Sequence, residues 1–287
     1  MQEPPARPRV ALVIGSGGVK CAAALGLEEA FADAGIPIDL VVGCSAGAIF
    51  AAAAALGWST RRATEETLRL WTGESAGRTR RRAVLQAAFP RLFGFDAEFG
   101  FRDDRLLRRR LRDAFGETTF AEAGLPLFIT ATDFHTGEQV ILRDGLLRDA
   151  MRASIALPFV FAPWRMGDRL LMDGFLSDPL PVNVAMQEGA GIIVAMGFES
   201  PRIRRLTSPM RLALQLTGVM SNNLLRSRFA FHNLSHHSEV IPVLPDFQGQ
   251  RVNIFDASRI PFVIEEGRRA AQAHLPYVRR LLAEGAA

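Results

Sequence analysis

Short aliphatic and β-branched runs alternate with longer stretches of helical periodicity along most of this chain. The runs that predict strands lie at 9–14, 39–42, 126–132, 139–142, 169–172, 191–196 and 239–244. Helical patterns start at Lys20 and after Gly47, and a closing helix is predicted from about Pro261 to Glu284. Alternating strands and helices favour an α/β fold, with three α/β/α layers around a mainly parallel sheet. Because no repeat or low-complexity linker interrupts the chain, we expect one domain over 5–285.

A glycine-rich loop, GSGGVK, follows the first predicted strand directly. Gly15, Gly17 and Gly18 can adopt backbone angles closed to other residues, so successive N–H groups can point into one cavity. The helical pattern that starts at Lys20 places this loop at a helix N-terminus, where unpaired N–H groups and the helix dipole favour negative charge. The loop therefore favours a developing oxyanion.

A second glycine-flanked turn, GCSAG, carries a serine between the second predicted strand and an alanine-rich helix. Gly43 and Gly47 stand two residues before and after Ser45, which is the pattern of a nucleophile elbow. The flanking residues must be small because strand and helix nearly touch at such a turn. We expect the Ser45 hydroxyl to project from the carboxyl end of the sheet.

One acidic dipeptide completes the pattern, because Asp173 and Gly174 follow a later predicted strand in the segment RLLMDG. An anion-cradling loop, a serine on a sharp turn and a carboxylate that could activate it are the parts of a serine acyl hydrolase without a catalytic histidine.

Two nucleotide-binding interpretations of the first loop are weaker. A dinucleotide fingerprint would use Gly15 and Gly17 as its first two glycines and Asp39 as the ribose carboxylate. Its third glycine position is occupied by Lys20, which would crowd the packing of helix against strand. A P-loop is also disfavoured, because its spacing and its Lys-Ser/Thr pair are missing.

The histidines test a Ser-Asp-His triad of the α/β-hydrolase type. His135 precedes Asp173 and is expected in a hairpin turn, and His274 has the right chain order but is expected on the surface of the closing helix. The remaining histidines, His232, His236 and His237, crowd a polar region. The elbow follows only the second predicted strand, whereas an α/β-hydrolase elbow normally follows more, so a dyad is favoured.

In order and spacing, four blocks resemble those of bacterial patatin-like phospholipases, from about Val10 to Leu282. They lie at 15–20, at 43–47, at 153–158 (ASIALP) and at 172–174, the last with Pro181 and Val182 downstream. The resemblance implies a patatin-like fold and hydrolysis of a lipid or other ester, of phospholipase A, lysophospholipase or carboxylesterase type, without cofactor or metal.

The resemblance also implies a role for each block. Asp173 would accept the proton of Ser45 as the hydroxyl attacks the ester carbonyl. The N–H groups of Gly17, Gly18 and Val19 would hold the oxyanion. Supporting roles fall to the remaining block residues, with the lysine as a brace for the loop: Gly15, Lys20, Gly43, Gly47 and Gly174.

One position departs from the family pattern. The family usually has glycine or alanine after the Asp-Gly pair, whereas this chain has Phe175. A bulky ring beside the base could narrow the pocket, and this keeps a second hypothesis open: a catalytically weak lipid-binding or regulatory protein on the same fold.

Composition limits the partners and the location. The formal net charge is only +4, and no nucleic-acid-binding motif is recognised, so a nucleic-acid partner is not expected. No His, Cys and Asp cluster has metal-ligand spacing. Cys21 and Cys44 are expected to be small packing residues rather than a disulfide. Without a signal pattern or a run of transmembrane length, we expect a cytoplasmic protein, with a peripheral position at the inner membrane face as a second possibility.

Two Arg-rich, apolar segments could meet a membrane. Residues 72–103 are an irregular Arg/Phe-rich stretch that suits a cap or lid over the site, or a surface for anionic lipid headgroups. An ordinary loop with its aromatic rings turned inward explains them equally well. Residues 210–234 carry an apolar stripe for which core packing is favoured over membrane contact: Leu212, Leu216, Val219, Met220, Leu224 and Phe231. Nothing in the sequence indicates an oligomeric state.

Overall fold

The computed structural model describes residues 7–71, 79–200, 207–232, 238–250, 252–253 and 255–284, without the side chains at 209–210 and 228–232. The strands are β1 Val10–Ile14, β2 Leu40–Cys44, β3 Leu127–Asp133, β4 Gln139–Leu142, β5 Trp164–Met166, β6 Arg169–Asp173, β7 Ile192–Met196 and β8 Glu239–Val243. All seven predicted strands are confirmed within two residues at each end. The strand β5 was not predicted, because three residues are too few to show a period.

The strands form one sheet in the order β5-β6-β3-β2-β1-β7-β8, with β4 paired to β3. Strands β8, β7, β1, β2 and β3 are parallel, whereas β4, β5 and β6 form antiparallel pairs. The chain passes from β1 to β2 on one side, and β7 returns to the other side of β1. The strand order therefore reverses at β1, and the carboxyl ends of strands beside such a reversal are where α/β folds usually bind ligands.

Helices cover both faces of the sheet. They are α1 Ala23–Asp33, α2 Gly47–Ala55, α3 Thr60–Leu70, α4 Arg81–Ala88, α5 Pro90–Phe93, α6 Arg105–Phe115, α7 Leu147–Ser154, α8 Val182–Gln187, α9 Pro209–His232, α10 Ile260–Gln272 and α11 Leu275–Glu284. Leu12 and Ile14 of β1 join a core with α1, α2 and α10. The alternate residues Ala11 and Val13 join a second core with α8. The predicted three-layer α/β/α arrangement is confirmed.

Helices α1 and α10 pack at very short range. A Cβ at Gly26 would lie 1.9 Å from the carbonyl oxygen of Ile264, and one at Gly267 would lie 2.0 Å from that of Ala23. Neither position admits a side chain. Because α1 starts where the glycine loop ends, this contact fixes the helix that supports the loop.

The closing region and the segment before α6 differ from the predictions. The prediction of a single closing helix was wrong. Helices α10 and α11 are separate, because Pro276 has no N–H and cannot donate the backbone hydrogen bond to Gln272 that a continuous helix would need. His274 consequently lies in the turn between them, not on a helix. The description of 72–103 as irregular was also wrong for the described part, which contains α4 and α5. Residues 72–78 lie outside the described residues.

Candidate active site

The serine turn lies between β2 and α2. Ser45 has a φ of +55°, in the left-handed region that costs a residue with a Cβ about 1–2 kcal/mol. A Cβ at Gly43 would lie 2.5 Å from the Cα of Ala48, and one at Gly47 would lie 2.4 Å from the carbonyl oxygen of Ile14. The flanking glycines therefore allow α2 to pack directly against β1 and β2, and the turn leaves the Ser45 side chain partly exposed between buried neighbours.

Ser45 and Asp173 are brought together by the way β3 pairs. Strand β2 pairs with the first four residues of β3, and β6 pairs with its last three. Strand β4 pairs with the middle of β3, alongside both of them, so β2 and β6 must share the opposite edge. The carboxyl ends of β2 and β6 therefore meet end to end along β3. Ser45 follows the last residue of β2, and Asp173 is the last residue of β6.

The hydroxyl and the carboxylate are in direct contact. Ser45 Oγ donates a hydrogen bond to Asp173 Oδ2 at 2.7 Å. The other carboxylate oxygen, Oδ1, accepts the backbone N–H of Phe175 at 3.2 Å. Asp173 is 2% exposed, and this burial raises the pKa of its carboxyl to about 7, although the hydrogen bonds from Ser45 and Phe175 act in the opposite direction. A carboxyl with a pKa near neutral pH is suited to accept and return a proton.

The unusual Phe175 supports the carboxylate through its backbone. Its N–H contacts Oδ1 of Asp173, and its ring is buried at 6% exposure. Any residue except proline could supply this N–H. The preceding Gly174 is required by packing, because a Cβ there would lie 2.4 Å from the carbonyl oxygen of Thr130.

Ser154, the last residue of α7, forms a hydrogen bond with the backbone of the serine turn. Its Oγ accepts the backbone N–H of Ser45 at 2.8 Å and donates to the carbonyl oxygen of Thr130 at 2.7 Å. The side chain is fully buried. Ser154 lies in the ASIALP block, and its role was not predicted from the sequence because its partners are distant along the chain.

The start of the glycine loop is fixed to two neighbouring segments. Gly15 donates its N–H to the carbonyl oxygen of Met196, at the end of β7, and Ser16 donates to that of Pro179, both at 2.9 Å. A Cβ at Gly15 would lie 2.7 Å from the same Pro179 oxygen, so only glycine fits.

The next three residues of the loop differ in exposure, because Gly17 and Gly18 are partly exposed whereas Val19 is fully buried. Among the hydrogen bonds within the described residues, none is donated by the backbone of Gly17, Gly18 or Val19. Gly18 has a φ of +60° and begins a 3₁₀ helix that runs through Ala22 into α1. The structure therefore places the three predicted oxyanion donors at a helix start, following the strand adjacent to β2.

The far side of the loop is packed by the segment after β7. A Cβ at Gly17 would lie 2.6 Å from the ring of Phe198, so this ring lies against the loop. Lys20 is buried, and its Nζ donates to the carbonyl oxygen of Glu199 at 2.8 Å. Burial lowers the pKa of Lys20. Phe198 was not singled out from sequence, because nothing local connects it to a loop so far away along the chain.

The histidine positions are consistent with a site built on Ser45 and Asp173. His135 lies in the turn between β3 and β4, as predicted, and is exposed. His274 is half-buried in the turn before α11, and burial lowers its pKa. The side chains of the remaining histidines lie outside the described residues. Cys21 and Cys44 are buried and not disulfide-bonded, as predicted.

Among the described residues, no group of three or more His, Cys, Asp or Glu side chains is arranged to hold a metal ion. No helix in the described ranges has the length and apolar character needed to cross a bilayer.

Both Arg-rich segments expose apolar side chains. In α4, α5 and the loop that follows, Phe89, Leu92 and Phe95 are each more than half exposed, whereas Phe99 and Phe101 are partly buried. In α9, the prediction that the stripe packs in the core was wrong for most of its described members. Leu212, Leu216, Val219 and Met220 are exposed.

Comparison with known proteins identifies the family. Residues 12–186 match the family model for patatin-like phospholipase. An uncharacterized NTE family protein of Mycobacterium tuberculosis is 30% identical over 229 residues, which cover 79% of this chain and 59% of that protein. A second such protein of the same organism is 28% identical over 283 residues, covering 92% of this chain and 46% of its own length. The chain thus spans about half the length of these relatives.

A solved structure agrees with the fold. VipD from Legionella pneumophila superposes with a TM-score of 0.51 at 13% identity, over 95% of this chain and 67% of VipD. A mainly parallel sheet, a glycine loop after β1 and a serine turn after β2 define an α/β protein of the patatin-like class. The family-model match over more than half of the chain shows that it belongs to the patatin-like phospholipase family, a family of lipid acyl hydrolases.

Proposed function

We propose that this chain is a serine acyl hydrolase that cleaves lipid ester bonds, of phospholipase A, lysophospholipase or carboxylesterase type. The observation that carries the proposal is the 2.7 Å hydrogen bond from Ser45 Oγ to Asp173 Oδ2 at a strained elbow. Membership of a family of lipid acyl hydrolases supports it.

In this proposal, Asp173 accepts the hydroxyl proton as Ser45 Oγ attacks the ester carbonyl carbon and forms a tetrahedral intermediate. The carboxyl then gives this proton to the leaving alcohol, and an acyl-serine remains. Water, deprotonated by Asp173, attacks the acyl carbon and releases the fatty acid, and the proton returns to Ser45.

The oxyanion of each intermediate would be held by the N–H groups of Gly17, Gly18 and Val19. They follow β1, whose neighbour β2 carries the serine, and none of them donates a hydrogen bond within the described residues. Loss of one well-placed donor typically costs about 3–4 kcal/mol of transition-state stabilisation, so the loop should matter nearly as much as the serine.

Access to lipid would involve the segment 79–103, which we assign as a cap that contacts the membrane surface. The end of this segment is hydrogen-bonded to the chain just after the ASIALP block, because Phe101 donates its N–H to the carbonyl oxygen of Phe159 at 2.9 Å. That block reaches the site, because Ala156 accepts the N–H of Asp173 at 3.1 Å. The exposed apolar residues of the segment lie among arginines suited to anionic headgroups: Arg80, Arg81, Arg82 and Arg91. We therefore propose a cytoplasmic protein in peripheral contact with the inner membrane face.

Labelling with a fluorophosphonate probe tests the proposed chemistry. Such probes phosphonylate an activated serine, so the wild-type chain should label, Ser45→Ala should not, and Asp173→Asn should label much more slowly. Hydrolysis of a short-chain nitrophenyl ester should follow the same order.

The second hypothesis, a catalytically weak lipid-binding protein, predicts the opposite result. It gains weight if a demonstrably folded wild-type chain neither labels nor hydrolyses the ester. Labelling that persists in Ser45→Ala would also contradict the proposed nucleophile.

A further inference from the structure

The outward face of α9 carries four exposed aliphatic side chains, Leu212, Leu216, Val219 and Met220, here called the α9 stripe. They recur at the spacing of one helix face and are 44–61% exposed. The opposite face packs inward through Leu225, which is 4% exposed. The helix therefore has a second apolar face, beyond the one that the fold needs.

The stretch of sequence around the stripe is rich in arginine and poor in acidic residues. Between Glu199 and Glu239 the sequence has no acidic residue. The arginines in this interval are Arg202, Arg204, Arg205, Arg211, Arg226 and Arg228. Glu199 pairs with Arg226 at 2.9 Å, and the interval keeps a net positive charge after this pair is counted. An exposed apolar stripe within a cationic segment fits a surface of anionic lipid.

Helix α9 is linked to the glycine loop of the candidate active site. Asn222 of α9 exchanges two hydrogen bonds with the backbone of Ser200, at 2.8 and 3.0 Å. The adjacent Glu199 accepts Lys20 of the glycine loop through its carbonyl oxygen. Helix α9 therefore packs against the segment that braces the loop following β1.

Polar groups suited to a lipid headgroup border the stripe. A pocket of about 120 Å³ lies along α9. It is lined by Ser200, Gln215, Gly218, Val219, Asn222, Asn223 and Arg226. Amide, hydroxyl and guanidinium groups therefore line a pocket that also includes Val219, a member of the stripe.

We propose that the α9 stripe is a docking surface for a bilayer that contains anionic phospholipid, and that docking brings the active site to the membrane. The proposal rests on the proposed function only in taking the bilayer as the source of substrate. A second copy of the chain fits less well. Four partly exposed side chains offer a few hundred Å², against about 800 Å² per partner in a standard interface, and a symmetric contact would bring arginines together.

Vesicle co-sedimentation in a Ser45→Ala background tests docking without lipid hydrolysis. The protein should bind phosphatidylcholine vesicles that contain about 30% phosphatidylglycerol, and it should bind pure phosphatidylcholine vesicles much more weakly. It should dissociate from the anionic vesicles as the salt concentration rises over the range of about 0.05–0.5 M. Replacing Leu216 and Met220 with serine should lower the affinity for the anionic vesicles about tenfold or more. The matched control is Leu68→Ser, an exposed leucine on α3, which should bind like the parent.

Three results would overturn the proposal. The first is an affinity of the double variant equal to that of the parent, which would place docking elsewhere. The second is no preference of the parent for anionic vesicles. The third is a dimer, found by light scattering without vesicles, that the double variant dissociates, because the stripe would then bind a second copy. Failure of the proposed hydrolysis is a separate result, since it appears as missing probe labelling in the wild-type chain.

Discussion

Replacing Asp173 with Asn should stabilise the folded chain above pH 7 while abolishing its proposed chemistry. Burial raises the pKa of this carboxyl from 3.8 to about 7. Because the pKa of Asp173 is higher in the folded chain than in the unfolded chain, the contribution of this carboxyl to the free energy of unfolding is fully present below about pH 4. It is lost as the pH rises to about 7. A difference of about 3 pKa units at about 1.4 kcal/mol each corresponds to about 4 kcal/mol.

The neutral amide avoids this loss and can keep both contacts. Its oxygen can accept the N–H of Phe175, and its NH₂ group can donate to Ser45 Oγ. Urea unfolding of both proteins from pH 4 to pH 8.5 gives the difference in unfolding free energy. This difference should grow by about 4 kcal/mol in favour of Asp173→Asn, mostly between pH 4 and pH 7.

An exposed carboxylate provides the control. Asp113 lies on α6 with its side chain 64% exposed, and Asp113→Asn should show no comparable growth with pH. A flat difference between wild type and Asp173→Asn across this range would refute the reasoning, because Asp173 would then ionise in the folded chain as easily as in the unfolded one.

Three further predictions follow from the site and its packing. The kcat/KM for a nitrophenyl ester should rise with pH and level off above about 7, since the proposed base must be ionised; a pH profile from 5 to 9 measures this. Ser154→Ala should lower the free energy of unfolding in urea by about 2–3 kcal/mol and slow probe labelling, because it leaves the N–H of Ser45 without a partner. Ser154→Thr keeps a hydroxyl and should restore part of the stability and part of the labelling rate. Gly47→Ala should lower the free energy of unfolding by more than about 3 kcal/mol, since its Cβ would lie 2.4 Å from a backbone oxygen. Gly124→Ala should lower it by less than about 1 kcal/mol, because the nearest atom to its Cβ would be 3.5 Å away, and thermal unfolding followed by circular dichroism compares the two variants.

Each of these can fail in a recognisable way. A kcat/KM independent of pH from about 5 to 9 would mean that the ionisation of Asp173 does not limit the reaction in this range. Equal labelling rates for Ser154→Ala and wild type would show that the elbow keeps its geometry without this hydroxyl. Equal melting temperatures for the two glycine variants would contradict the close packing of α2 against β1.

The contact between hydroxyl and carboxylate explains how a patatin-like site could work without histidine. An ordinary aspartate with a pKa near 4 is a weak base. Burial at the junction of β2 and β6 raises the pKa of Asp173 towards neutral pH, while the hydrogen bond from Ser45 aligns the proton to be moved. The same burial should reduce stability near neutral pH, so the proposed site exchanges stability for basicity.

The amino-acid sequence determined the fold class and the pieces of the candidate site. Its hydrophobic runs predicted seven strands, and its glycine spacing placed a loop after β1 and a serine turn after β2. Such features are local, because a strand, a glycine turn or a helix start depends on neighbouring residues. Where local signals were short or conflicting, prediction failed, as with β5 and with the helix that Pro276 divides.

The tertiary structure alone decided what these pieces meet. The pairing of β2 and β6 along one edge of β3 brings Ser45 within 2.7 Å of Asp173, although 128 residues separate them. Ser154 reaches the elbow in the same way, from a distant helix. The α9 stripe lies outside the core because the opposite face of α9 packs inward, and a helical pattern cannot say which of two apolar faces will do so. Burial, and with it the raised pKa of Asp173, is a property of the assembled layers, since it depends on atoms that no local segment contains.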